Sequence, residues 1–238
     1  MASTEPEGGD IMSENHTPEI QGNLRRFMLR VPDEICACSG IRIMGRLFKS
    51  LLFSTDVSII RNTNADAVIA VYPFTPQPVI TQALISAADT PVLVGVGGGL
   101  TQGIRVVNLA LHAEFQGALG VVVNSPTSNE VIRELKETVD IPVVVTVVSE
   151  KDDIAKRLEA GADILNVSGA AKTAQLVARI RQDYPDVPVI ATGGQTPESI
   201  AATVAAGANA ITWTPPSSGQ IFRDIMEAYR KNEPHPEF

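Results

Sequence analysis

The chain has 238 residues, with 19 Lys and Arg against 27 Asp and Glu, and a formal net charge of −8 at pH 7. A hydrophobic fraction of 44% with 19% charged residues is enough for a packed core and excludes global disorder. The acidic balance excludes a nucleic-acid binder, because affinity for a phosphate backbone comes from clustered Lys and Arg releasing counterions.

From the N-terminus, residues 1–23 are rich in Glu, Ser, Thr, Pro, Gly and Asn, lack apolar periodicity and read as a flexible tail. They hold no basic segment followed by an apolar one, and no apolar run approaches the ~18 residues of a membrane span. A cytoplasmic protein without a membrane partner is expected. The two cysteines, Cys36 and Cys38, have no second Cys or His cluster nearby, so they read as reduced thiols rather than a zinc site or a disulfide framework. A single domain is expected over 24–232, with a helix over 26–40 closing one end of it and a second flexible tail over 233–238.

An internal repeat organises the domain. Gly117-Ala118, Gly161-Ala162 and Gly207-Ala208 each precede a short β-branched run. Pro91-Val92, Pro142-Val143 and Pro188-Val189 open three interleaved runs. Glycine past a helix end supplies a left-handed cap, and proline is tolerated at a strand's first position, where no ladder N–H is yet needed. The repeat predicts strands at 48–54, 66–72, 92–96, 119–124, 143–148, 164–168, 189–192 and 210–214, separated by amphipathic helices. Thr196-Pro197 reads as a helix cap followed by proline in the first turn. Eight parallel strands alternating with helices make a (β/α)8 TIM barrel. The alternative, a doubly wound open sheet, lacks its Gly-x-Gly-x-x-Gly turn after the first strand.

In such a barrel the chemistry sits at the C-terminal strand ends. Asp56, after the first predicted strand, is the expected proton-handling group. Lys49, within that strand, is a candidate base or imine former. Asn124 and Asn166 would orient substrate oxygens, with Thr146 and Thr212 among other strand-end polar residues, and Gly97 and Gly98 form a loop beside the site. Lys172 could pair with an anion, while His112 reads as a helix residue. Only Asp56 supplies a carboxylate at these ends, so neither a metal centre nor paired glycosidase carboxylates are expected, and no Gly-x-Ser-x-Gly elbow occurs. No cofactor is expected on this reading.

The segment Ala191-Thr-Gly-Gly-Gln-Thr-Pro-Glu198 resembles the seventh-strand turn of the phosphate-binding TIM barrels, a group that includes thiamin phosphate synthase, thiazole synthase, keto-deoxy-phosphogluconate aldolase and the flavin-dependent nitronate monooxygenases. The resemblance implies a phosphate held at Gly193 and Gly194 with Thr192 and Thr214 beside it. The expected second cradle after the eighth strand is replaced by Thr214-Pro-Pro-Ser-Ser-Gly219. Gly161-Ala-Asp-Ile-Leu-Asn-Val-Ser-Gly169 also resembles the sixth strand of deoxyribose-phosphate aldolase, with Asn166 where that enzyme has its Schiff-base lysine. As a whole the chain resembles a bacterial barrel group labelled only as hydrolases. The leading expectation is a metal-independent aldolase, isomerase or synthase acting on a small phosphorylated ligand. The alternatives are an FMN-binding oxidoreductase and a non-catalytic sensor like the glycerol-uptake antiterminators. Assembly as a homo-oligomer is left open.

Overall fold

A computed structural model describes residues 28–238 together with Pro18, Ile20 and Gly22. The expected tail over 1–23 otherwise lies outside the described residues, as does the start of the helix expected from Arg26. A 3₁₀ turn, Asp33–Ala37, leads into an antiparallel hairpin of β1 (Ile41–Ile43) and β2 (Arg46–Phe48). Eight parallel strands follow: β3 (Ser50–Phe53), β4 (Ala67–Ala70), β5 (Val92–Gly97), β6 (Gly120–Val123), β7 (Val143–Val147), β8 (Ile164–Val167), β9 (Val189–Thr192) and β10 (Ala210–Trp213). They close in sequence order, with β10 pairing back to β3. All eight lie within the stretches the repeat predicts or extend one by a single residue.

The helices are α1 (Val57–Ile60), α2 (Pro78–Ala87), α3 (Ile104–Phe115), α4 (Asn129–Thr138), α5 (Ile154–Glu159), α6 (Thr173–Asp183), α7 (Pro197–Ala205) and α8 (Ser218–Arg230). The three Gly-Ala glycines follow α3, α5 and α7 with φ of +90, +106 and +101°, the left-handed conformation that ends a helix without a Cβ penalty. Thr196 caps α7 in a reciprocal capping box with Ser199, with proline in the first turn.

Because side chains alternate along a strand, the core has two shells. Outward residues such as Val68, Val94, Val121, Val145, Leu165 and Ile211 pack against the helices, while Leu51, Ile69, Leu93, Val122, Val144, Ile164 and Ile190 fill the barrel. Ile41, Ile43 and Phe48 of the hairpin join that inner cluster. The N-terminal mouth is therefore closed by a β-hairpin and a 3₁₀ turn, in place of the helix expected over 26–40. Of the helix expected over 26–40 the described residues form only the 3₁₀ turn, because Pro32 and Cys38 on either side of it are extended, with ψ of 137 and 146°; the hairpin follows beyond that stretch and turns at Met44-Gly45, with φ of 48 and 81°. At this same end Asp66, Asp163 and Asn209 accept the N–H groups that open β3, β7 and β9.

The C-terminal residues, expected as a tail, are packed. Arg30 N–H donates to the Phe238 carbonyl at 3.2 Å, Glu233 N–H donates to Ala228, and Phe238 lies against the core. No helix among the described residues is long and apolar enough to cross a membrane.

Candidate functional site at the C-terminal mouth

Two residues beyond the inner core, the same alternation sets one further residue per strand facing inward: Phe53, Val71, Gly95, Asn124, Thr146, Asn166, Thr192 and Thr212. The layer is divided. On β7 to β10 it is polar throughout, and on β3 to β5 it is apolar or lacks a side chain. Thr146 and Asn166 are paired in register, as are Thr192 and Thr212. Asn166 Nδ2 donates to Thr146 Oγ1 at 3.3 Å. Thr146 and Thr212 are only 8% and 4% exposed. Asn166 Oδ1 and Thr212 Oγ1 are buried without a hydrogen-bond partner. A buried polar atom left unpaired costs about 1–3 kcal/mol, and two of them facing one barrel lumen mark a place where a ligand or water completes the set.

On the other side lies a cavity of about 330 Å³ between the β4–α2 and β5–α3 loops, reaching Val71, Gly95 and Asn124. Tyr72 lines it, and its phenolic oxygen accepts the Gln77 N–H at 2.9 Å. Tyr72 is the one ionisable side chain among the lining residues.

The loops around Asn124 are rigidly braced. Asn124 N–H donates to Gly97 O, and Gly98, at φ +97°, lies so close to Asn124 and Thr127 that no Cβ fits there. Arg157 on α5 donates to the carbonyls of Ser125 at 2.6 Å and Thr127 at 2.5 Å. Asp152 accepts from Ser125 Oγ and from the Val148 and Ser149 N–H groups. Neither Arg157 nor Asp152 stands out in the sequence, since each reaches the loop after β6, which is distant along the chain.

Several expected site residues are elsewhere. Lys49 sits before β3, and its ammonium donates to the Cys36 carbonyl at 2.7 Å, at the hairpin end of the barrel. It is removed from the mouth by the length of the strand. Asp56 follows β3 at the correct end, but its carboxylate caps α1 and also accepts from the Ser58 and Ser218 hydroxyls. Those hydroxyls, then the Ile59 and Ser58 N–H groups, hold its pKa below the usual carboxylate value. A carboxylate so tied is poorly suited to shuttle protons near neutrality.

At the β9 turn, Gly193 N–H already donates to Thr212 O. A Cβ at Gly193 would press on Ile211 and Ile200, and at Gly194, with φ +89°, on Ser199. Ser199 N–H is taken by Thr196 Oγ1. The two glycines are thus required by packing and backbone conformation whether or not an anion binds. Thr192 is half-buried and Thr214 exposed at the rim; Lys172 and His112 are both exposed.

No family profile and no curated protein matches the chain. Among solved structures, 2,3-dimethylmalate lyase, a member of the PEP mutase/isocitrate lyase superfamily, is 14% identical with a TM-score of 0.62, covering 88% of this chain and 86% of its own. Phosphonopyruvate hydrolase bound to oxalate and Mg²⁺ is 14% identical with a TM-score of 0.58, covering 79% and 84%. Oxaloacetate acetylhydrolase with its product oxalate is 11% identical with a TM-score of 0.59, covering 79% and 84%. These likenesses establish the barrel fold.

They do not support the likeness to thiamin phosphate synthase or nitronate monooxygenase. The expectation of no cofactor is overturned as well, since phosphonopyruvate hydrolase, a barrel of similar fold, holds Mg²⁺. In this chain the donors at the mouth do not fit a cation held by protein carboxylates. Among the described residues no three His, Cys, Asp or Glu side chains converge, and Asp56 and Asp152 are already engaged by hydrogen bonds from neighbouring loops. The unpartnered mouth oxygens, on Asn166 and Thr212, are neutral.

Proposed function

We propose that this protein is an enzyme acting at the C-terminal mouth of its barrel on a small, oxygen-rich organic acid or its phosphono or phosphorylated counterpart, in a lyase, isomerase or hydrolase reaction. The observation that carries this reading is the pair of buried, unpartnered oxygens, Asn166 Oδ1 and Thr212 Oγ1, in the strand-end layer of the barrel. Asn166 Oδ1 would accept a substrate hydroxyl. The hydroxyls of Thr146, Thr192 and Thr212 would donate to a carbonyl or carboxylate oxygen, and fixed neutral dipoles of this kind stabilise charge that develops on that oxygen in the transition state. The Tyr72 hydroxyl, whose oxygen already accepts the Gln77 N–H, keeps a proton to give. The activities of the similar barrels named above agree with an organic-acid substrate.

Calorimetry with oxalate and glycolate tests the reading. Millimolar or tighter binding by the wild type, lost in Asn166→Leu with the circular dichroism spectrum unchanged, is expected. Absence of binding to either acid at millimolar concentration would remove the reading.

A further inference from the structure

We infer that the substrate carries an uncharged apolar arm beside its oxygen-rich reacting end, and that the cavity between the β4–α2 and β5–α3 loops is the subsite for that arm. The inference rests on the organic-acid reading above and extends it.

No Asp, Glu, Lys, Arg or His side chain lines the cavity, so a second anionic group placed there would lose hydration without gaining a charged partner. The polar groups on its walls are largely occupied: Thr101 Oγ1 donates to Thr75 Oγ1 at 3.1 Å, and the Tyr72 oxygen accepts from Gln77. The Thr101–Thr75 bond ties the two loops to each other, and the Tyr72–Gln77 bond braces the first of them. The other side chains are Val71, Pro73, Phe74, Pro76 and Leu100, with the Asn124 amide the one further polar group. Phe74 and Leu100 stand at the rim 75% and 103% exposed, an unfavourable setting for large apolar side chains unless something covers them. Gly99 leaves the space beside it open, with nothing within 4 Å of where its Cβ would stand, while Gly95 has Val71 packed against it. Val71, Gly95 and Asn124 line the cavity and belong to the same strand-end layer as Asn166 and Thr212. A concave pocket of about 330 Å³, near the lower end of the ~300–1,000 Å³ of small-molecule sites, fits a group of a small molecule and not the flat face of a second protein.

The test measures calorimetric affinities of the full chain for glycolate, 2-hydroxybutyrate and 2-hydroxyhexanoate, with hexan-1-ol as a probe lacking the acid. In the wild type, affinity is expected to rise about fourfold per added methylene, the ratio given by ~0.8 kcal/mol per buried CH₂. Gly99→Leu should flatten that rise and leave glycolate unchanged. Gly99 has no positive φ, and a Cβ placed on it would meet nothing within 4 Å, so a side chain there is accommodated without strain. Leu100→Ala, at a fully exposed position, should reduce the rise. Equal affinity across the acids would overturn the arm and leave the organic-acid reading intact. A chain-length effect that survives Gly99→Leu would overturn the assignment of this cavity. Binding of hexan-1-ol abolished by Gly99→Leu, with no binding of any acid, would retain the apolar subsite and remove the organic-acid reading.

Discussion

Replacing Thr212 by Val tests whether the mouth is built for a ligand at the expense of stability. The side chain is 4% exposed and its hydroxyl has no partner; its register neighbours are Leu51 on β3 and Thr192 on β9. Valine keeps the branched shape and removes the unpaired hydroxyl, so the substitution recovers part of the ~1–3 kcal/mol that such a group costs. A gain of about 1–2 kcal/mol is expected, and at roughly 2–4 °C per kcal/mol for a domain of this size the midpoint of thermal unfolding should rise by several degrees. Thr173→Val is the control. Thr173 is equally buried, at 4% exposed, but its hydroxyl donates to Ala170 O at 2.9 Å and accepts the Gly169 N–H at 3.1 Å. Removing it strands both partners and should cost about 1–3 kcal/mol, the opposite sign. Urea and thermal unfolding of both variants, together with oxalate calorimetry on Thr212→Val, read the outcome. A Thr212→Val protein no more stable than wild type would refute the reasoning that this oxygen is kept unpaired for a ligand.

Asp56→Ala removes the cap of α1 and should cost about 1 kcal/mol at pH 7. Because the folded-state pKa of Asp56 is depressed, that contribution is present above the ordinary value of 3.8 and is lost as pH falls through the lower folded value; the two unfolding curves should therefore converge in acid. Gly193→Ala places a Cβ 2.7 Å from Ile211 and 2.9 Å from Ile200, and should lower stability by about 1–3 kcal/mol in the absence of any anion; an unchanged midpoint would show that the turn is looser than its packing. Burial pushes the Cys38 thiol up to about 11 while Cys36 is exposed, so a thiol reagent at pH 8 should label Cys36 rapidly and Cys38 only on unfolding, as counted by mass spectrometry.

The barrel is legible in the sequence because its signals are local. Each Gly-Ala ends a helix through the φ of a single glycine, each Pro-Val starts a strand where no N–H is needed, and β-branched runs between them leave few other pairings. The Thr196-Pro197 start of α7 is readable for the same reason. The hairpin at the N-terminal mouth escapes a sequence reading although Met44-Gly45 carries a local turn signal, because the strand alternation on either side is only three residues long. The functional assignment of residues depends on non-local facts. Lys49 and Asp56 flank one strand, yet direction along the barrel sends one to the closed end and hydrogen bonds from Ser58 and Ser218, the latter 162 residues away, occupy the other. Asn166 is placed at a strand end by the sequence. That its Oδ1 is unpartnered, that Thr212 shares this state and that a cavity forms between the β4–α2 and β5–α3 loops beside Asn124 are decided only when the barrel closes, because burial and pairing are properties of neighbours brought together from different strands.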